Sequence, residues 1–211
     1  MITQPKISEY IEGHSTGEDQ ILYELNRETH LKVLNPNMLS GQVQGKLLEF
    51  ISRMVSPKYI LEIGTYTGYS AICLAKGLCE GGKLVTIEIN DELVPIITRY
   101  LESSGMSPKV ELITGNAVKI VPGLPYQFEL AYIDGDKTEY LDYYEMVLQK
   151  LSSGGFMLID NVLWDGKVLD KSDHNADTKH ILKLNEHIKN DKRVENVILP
   201  LRDGINVVRK I

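Results

Sequence analysis

Two apolar runs in this sequence end on acidic side chains. Phe128-Glu129-Leu130-Ala131-Tyr132-Ile133 leads into Asp134-Gly135-Asp136-Lys137, and Gly155-Phe156-Met157-Leu158-Ile159 leads into Asp160-Asn161. If both runs are strands of one parallel sheet, Asp134, Asp160 and Asn161 reach the same edge. Together they offer two carboxylates and an amide, a hard-oxygen set suited to a divalent cation, with water and substrate completing an octahedron. Without a cation, carboxylates so close repel or share a proton. Lys137 follows Asp134 by three residues. Beside a cation its ammonium form is disfavoured, so its pKa is expected to fall toward the range of a general base. Asp136 is expected to point elsewhere.

A second group of residues suits a nucleoside. Leu61-Glu62-Ile63-Gly64-Thr65-Tyr66-Thr67-Gly68-Tyr69-Ser70 joins a strand to a helix, and its glycines allow a sharp turn and close backbone approach. Ligands of open parallel sheets sit at the carboxyl ends of strands. The spacing here is G-x-x-x-G, not the G-x-G-x-x-G that seats a pyrophosphate, so a nucleoside without a diphosphate is expected. The next strand ends in Glu88, whose carboxylate can accept from both ribose hydroxyls, or can serve as a helix-start charge near Asp91. Glu62 holds the loop or a ligand amino group indirectly, or is a strand-end carboxylate satisfied by nearby amides.

The elements that must position these residues follow from the hydrophobic pattern. The first forty residues are polar and helix-like, with Ile21, Leu22 and Leu25 at helical spacing and Glu18 and Asp19 at a helix start. A helix is expected from about Ser40 to Met54, stopped by Pro57. Strands are then predicted at 59–63, 84–89, 110–114, 128–133, 155–159, 194–199 and 205–208. Helices are predicted at 69–78, 91–103, 117–121, 139–151 and 177–190. Strand runs of Ile, Leu and Val without alternation imply burial on both faces, hence a parallel sheet between helices. Only Pro200–Gly204 joins the last two strands, too short for a parallel crossover, so the final strand must run antiparallel. The expected fold is a doubly wound α/β sheet with a C-terminal antiparallel strand and extra N-terminal helices, all in one domain over 1–211.

Composition bounds the remaining choices. The chain has 211 residues, 43% hydrophobic and 25% charged, with a net charge of -6. That is a globular composition, and an acidic chain with no basic run argues against nucleic-acid and anionic-membrane partners. No apolar stretch approaches a membrane span, and the start lacks a secretion signal, so a cytoplasmic location is expected. Cys73 and Cys79 do not have redox or zinc spacing and read as small buried side chains on one helix. The five histidines show no ligand pairing beyond His180 and His187 on one helix face, and a solvated or structural role is expected for each. No G-x-S-x-G elbow or Walker loop is present.

Taken in order, Met38-Leu39-Ser40-Gly41, the loop 61–70, Ile87-Glu88, Tyr132 to Lys137, and Asp160-Asn161-Val162-Leu163-Trp164-Asp165-Gly166 resemble the cation-dependent O-methyltransferases, the catechol and caffeoyl-coenzyme A group. The resemblance spans nearly the whole chain and implies a seven-stranded, Rossmann-like methyltransferase fold binding S-adenosylmethionine. It implies that Glu88 binds the ribose, while Gly64, Tyr66, Gly68 and Ser70, with Glu62 behind them, hold the methionine part. Met38 would lie near the sulfonium and the acceptor, and Asn116-Ala117 at the adenine. Many relatives carry an acid at the position of Asn116. Asp134, Asp160 and Asn161 would bind the cation, usually magnesium, with Asp134 also touching the methionine end. Lys137 would be the base. The N-terminal helices within 1–56 would form part of the acceptor side, and the acceptor would meet Met38, Lys137, Trp164, Asp203 and the loop 165–178, with Trp164 alternatively a packing residue and Arg202 a contact for an acidic acceptor or a hairpin decoration.

The reaction so implied transfers a methyl group to one hydroxyl of a vicinal-dihydroxy aromatic whose two oxygens can chelate the cation. A homodimer is expected by the same resemblance. Three other readings fit parts of the sequence: an NAD-type oxidoreductase, a binding protein that keeps only the cofactor pocket, and a metal-independent methyltransferase. The glycine spacing opposes the first, and the intact acid set with Lys137 opposes the second.

Overall fold

Seven strands carry the architecture: β1 (Tyr59–Ile63), β2 (Lys83–Glu88), β3 (Val110–Thr114), β4 (Phe128–Ile133), β5 (Leu151–Ile159), β6 (Val194–Leu199) and β7 (Ile205–Lys210). They form one mixed sheet in the order β3-β2-β1-β4-β5-β7-β6. Among the described residues, eight α-helices accompany them: α1 (Pro5–His14), α2 (Gln20–Lys32), α3 (Gly41–Val55), α4 (Tyr69–Ala75), α5 (Val94–Ser103), α6 (Ala117–Ile120), α7 (Tyr140–Lys150) and α8 (Ala176–Asn190). This computed structural model describes residues 5–170, 172, 173 and 175–211. Two compact units can be distinguished, one spanning Lys6–Asn116 and one built on Ala117–Ile211.

In the first unit, β1 pairs parallel with β2 and β2 with β3, in the registers Ile63↔Ile87 and Ile87↔Ile113. Ile60, Leu61 and Ile63 of β1 and Leu84, Val85 and Ile87 of β2 are all buried. That is why these strands read as unbroken apolar runs: neither face meets water. Every residue of α4 is buried as well. The end of α3 lies against the end of α4, where Ser52 Oγ donates to Leu74 O at 2.7 Å. Gly77 makes this approach possible, since a Cβ there would fall 2.3 Å from the Ser52 backbone. The expected helix start at Asp19 is observed as a cap, Asp19 Oδ1 accepting the Leu22 N–H at 2.9 Å.

In the second unit, β4 pairs parallel with β5, and β7 runs antiparallel to both β5 and β6. The antiparallel final strand thus follows from the short 200–204 link. β5 begins at Leu151 rather than at Gly155, because Leu151 pairs with Phe128 across a register shift that absorbs the intervening residues. Tyr140, Tyr144 and Val147 of α7 and Ile181 and Leu184 of α8 are fully buried. At about 1.5–3 kcal/mol for each large apolar side chain removed from water, these helices hold the sheet face shut.

Smaller departures have local causes. Pro95 near the start of α5 leaves Asp91–Leu93 as a separate 3-10 turn rather than the first turn of one helix. α4 stops at Ala75, so Cys73 lies buried within it while Cys79 lies beyond it, half-buried. Burial pushes the Cys73 thiol well above its usual pKa, which fits the bland reading of an inert side chain.

Candidate active site

The glycine loop and Glu88 lie in the first unit. β1 ends in a loop whose N–H groups on Gly64 and Thr65 reach Ile87 O at 3.0 and 3.3 Å. Gly64 and Gly68 adopt left-handed backbone, φ 95° and 94°, which the predicted sharp turn requires. Tyr66 between them is also left-handed, φ 52°, and is pinned from both ends. Its N–H donates to Glu88 Oε2 at 2.7 Å, and its hydroxyl donates to Leu34 O at 2.9 Å. Gly68 opens α4, and Ser70 is buried in its first turn.

Glu88 is buried at the end of β2. Each of its oxygens carries one backbone N–H, from Tyr66 on Oε2 and from Asn90 at 2.9 Å on Oε1. A carboxylate oxygen has a second lone pair, so this fixed carboxylate retains acceptor capacity for two hydroxyls. Glu62 is fully buried, and its Oε2 accepts the Thr86 hydroxyl at 2.5 Å, which in turn lies 2.6 Å from the Thr65 hydroxyl. One partner is thus a threonine of the neighbouring strand. Through it Glu62 is linked to the Thr65 hydroxyl of the glycine loop. Met38 closes a 3-10 turn at Pro36–Met38 and is 57% exposed, open to a ligand. Thr29 of α2 donates to Thr67 in the glycine loop at 3.1 Å, a cross-link invisible in the sequence because 38 residues separate them.

The acidic side is built entirely in the second unit. Ile133 pairs with Ile159, so Asp134 and Asp160 leave adjacent strand ends side by side, and Asp160 N–H donates to Ile133 O at 3.0 Å. Asp160 is 4% exposed and accepts from the Tyr132 hydroxyl and the Asn161 N–H, each at 2.8 Å. Asn161 turns left-handed, φ 59°, one of the few residue types that does so readily. Asp134, Asp160 and Asn161 thus present the expected oxygen donors from two neighbouring ends, and their chemistry fits a hard divalent cation. Asp136 does point elsewhere, its carboxylate capping the 137–139 turn through Thr138 N–H at 2.9 Å.

Lys137 Nζ donates to Asp134 Oδ1 at 2.9 Å and to Gly135 O at 3.1 Å, and lies 4.9 Å from the centre of the Tyr140 ring. Burial works to lower the Lys137 pKa, but the Asp134 carboxylate and Tyr140 outweigh it and hold the ammonium above its ordinary range. This is the opposite of the direction expected from the sequence. The reason is physical: the expected fall belongs to a carboxylate already neutralised by a cation, whereas among protein groups alone Asp134 is a full counter-charge.

The loop after Asn161 is tied to the β6–β7 turn. Val162 N–H donates to Gly204 O at 3.1 Å, and Asp203 O accepts from Leu163 at 2.7 Å and Trp164 at 3.3 Å. Asp203 thus holds this loop through its main-chain oxygen, and Trp164 is half-buried with Lys167 Nζ 5.6 Å from its ring centre. Gly204 has φ 85°, and a Cβ there would lie 2.4 Å from the Leu163 side chain. Gly204→Ala is expected to cost about 2–4 kcal/mol in chemical denaturation, from backbone strain plus overpacking. The expected acceptor loop 165–178 includes Lys171 and His174, which lie outside the described residues.

Among the described residues, sequence reading missed one other cluster. Glu145, His187 and Asp191 bring ligand atoms within 4.8 Å of one another, beside a surface cavity of about 670 Å³. Arg193 already occupies it, at 2.7 Å from Glu145 and 2.6 Å from Asp191, and holds both carboxyl pKa values low. It is an ion-pair network linking α7, α8 and the start of β6. His14, His30 and His180 each bond a main-chain oxygen one helical turn back, as structural histidines do.

A family model described as O-methyltransferase matches residues 12–211. Catechol O-methyltransferase domain-containing protein 1 of Mus musculus is 32% identical over 208 residues, covering 96% of this chain and 79% of that protein. Caffeoyl-CoA O-methyltransferase of Stellaria longipes is 30% identical over 205 residues, covering 92% of this chain and 85% of that one. The crystal structure of an O-methyltransferase from Bacillus cereus in complex with SAH (S-adenosylhomocysteine) superposes with a TM-score of 0.88 at 28% identity and full coverage of both chains.

Proposed function

The chain belongs to the O-methyltransferase family and is an S-adenosylmethionine-dependent enzyme, and we propose that it methylates one hydroxyl of a vicinal-dihydroxy aromatic in a divalent-cation-dependent reaction. The observation that carries the proposal is the pair of adjacent strand ends, β4 delivering Asp134 with Lys137 ion-paired to it, and β5 delivering Asp160 and Asn161. An oxidoreductase has no use for this set, and the family excludes that reading.

In this reading Glu88 accepts from the ribose hydroxyls with the lone pairs that Tyr66 and Asn90 leave open. The backbone of Gly64, Tyr66 and Gly68, with Ser70, holds the methionine part of the donor, and Glu62 fixes that loop through Thr86 and Thr65. Ala117 contacts the adenine, and Met38 stands near the sulfonium and the acceptor. Asp134, Asp160 and Asn161 hold the cation, magnesium by the family resemblance, and their oxygens suit such a hard ion. Bound there, such an ion favours ionisation of a coordinated hydroxyl. Lys137 takes the hydroxyl proton on Nζ, and Trp164, Asp203 and their loop shape the acceptor side. The remaining contribution of the protein is orientation, holding the acceptor oxygen in line with the methyl carbon. Two neighbouring hydroxyls are the acceptor chemistry that matches a chelating centre.

The test is release of S-adenosylhomocysteine from S-adenosylmethionine with a small catechol acid, in magnesium and in EDTA. Product in magnesium that disappears with EDTA is the expected result. Undiminished product in EDTA would favour the metal-independent methyltransferase. Absence of product in both, with donor binding intact by calorimetry, would remove the catechol acceptor. A homodimer is part of the same proposal. It is supported by α1, which buries none of its residues and exposes Ile7, Tyr10 and Ile11 at helical spacing. Analytical ultracentrifugation tests it.

A further inference from the structure

Tyr132 sits within β4, fully buried, and its hydroxyl donates to Asp160 Oδ2 at 2.8 Å. The other oxygen of Asp160 accepts the Asn161 N–H at 2.8 Å. A phenylalanine would fill the same core volume, so packing alone does not account for the hydroxyl. Its position is well defined, because the ring that carries it is locked in a close-packed interior. Both oxygens of Asp160 are thus engaged by donors that cannot move far, one on a packed ring and one on the backbone, and the plane of the carboxylate is clamped.

That clamp has a consequence for ion choice. Calcium takes six to eight oxygens and commonly uses both oxygens of a carboxylate, whereas magnesium demands a near-ideal octahedron and takes carboxylates through one oxygen. Two-oxygen chelation requires the carboxylate to turn until both oxygens face the ion, and a clamped carboxylate resists that turn. We propose that Tyr132 is a positioning residue that holds Asp160 as a one-oxygen ligand and biases the centre toward a small six-coordinate cation over calcium. The inference rests on the reading of Asp134, Asp160 and Asn161 as the cation donors.

The experiment measures ion binding rather than turnover. Mn2+ binding is followed by electron paramagnetic resonance in the full chain with S-adenosylhomocysteine present, and Mg2+ and Ca2+ are read by competition. In Tyr132→Phe, Mn2+ and Mg2+ affinity is expected to fall by about 10–100-fold, the usual consequence of losing an outer partner of a ligand. Ca2+ affinity should change less, so the preference for Mg2+ narrows. Unchanged Mn2+ affinity and an unchanged preference in folded Tyr132→Phe would overturn the inference. Asp160→Asn separates this failure from failure of the metal reading. If Asp160→Asn binds Mn2+ like the wild type, Asp160 is no ligand and both fall. If it loses Mn2+ while Tyr132→Phe does not, only the role of Tyr132 falls. In the Asp160→Asn background, adding Tyr132→Phe should change the residual affinity no further, and an additional loss would show that Tyr132 acts elsewhere. Should Tyr132→Phe not be recovered folded, the wild type carries the test: Mg2+ binding tighter than Ca2+ is expected, and equal or tighter Ca2+ overturns the clamp.

Discussion

Lys137→Ala is expected to lower kcat by roughly 10²–10⁴-fold, the range typical for loss of a general acid–base group, with S-adenosylhomocysteine affinity close to wild type. The geometry behind this is specific. The amine is three residues beyond Asp134, ion-paired to it at 2.9 Å, with its side chain only 15% exposed. Bulk water therefore cannot readily substitute for it. A lysine so placed could also act only as a fixed charge, and Lys137→Arg distinguishes the two. Arginine keeps the charge but cannot give up its proton in the working range. A base role predicts that Lys137→Arg is about as inactive as the alanine variant. Activity near wild type in Lys137→Arg would reduce Lys137 to an electrostatic or positioning group, and wild-type kcat in folded Lys137→Ala would remove it from the chemistry altogether. Because the alanine variant leaves Asp134 without that ion pair, its folding is checked by thermal melting alongside.

Much of this architecture was legible in the sequence because its boundaries are set locally. β1, β3, β4 and β6 occupy the predicted ranges, each flanked by a proline or glycine that stops pairing: Pro57 and Gly64, Pro108 and Gly115, Pro125, and Pro200. β5 was not, because its first residues Leu151–Gly154 join the sheet only through a register shift against Phe128, a pairing partner more than twenty residues away. The first forty residues read as helical, and the division into α1 and α2 around Gly17 follows a break that apolar spacing does not mark.

The acids and Lys137 were legible for a similar reason: strand ends in a parallel sheet line up, so a charged residue ending an apolar run announces itself. What orients those acids was not. Tyr132 reads as one more core residue of a buried strand, since a tyrosine hydroxyl shows its use only through its partner, here 28 residues on. Thr86 behind Glu62 and Asn185 of α8, whose amide donates to Val162 O at 2.8 Å beside the Asp160–Asn161 corner, are equally silent in sequence. Periodicity finds the charged side chains at element ends. The hydrogen bonds that aim them are long-range and appear only once the chain has folded.

Asp160→Ala is the sharper test of what those acids do. Asp160 is buried at 4% exposure and bonded by Tyr132 and Asn161, so two readings compete: a ligand, or a carboxylate that merely satisfies two buried donors. Both predict a stability cost, about 1–3 kcal/mol for donors deprived of this acceptor. They differ in function. If Asp160 is a ligand, magnesium-dependent turnover falls by roughly 10²–10⁴-fold, since the charge stabilisation a catalytic cation supplies is worth several kcal/mol. Donor binding is then spared, because Glu88 and the glycine loop are built on other strands. If Asp160 is structural, turnover tracks the folded fraction and returns to wild type at temperatures where the variant is native. Calorimetric titration with S-adenosylhomocysteine on the folded variant closes the argument: retained affinity with lost turnover assigns Asp160 to the cation, whereas lost affinity would move it into the donor pocket and take the proposed metal centre with it.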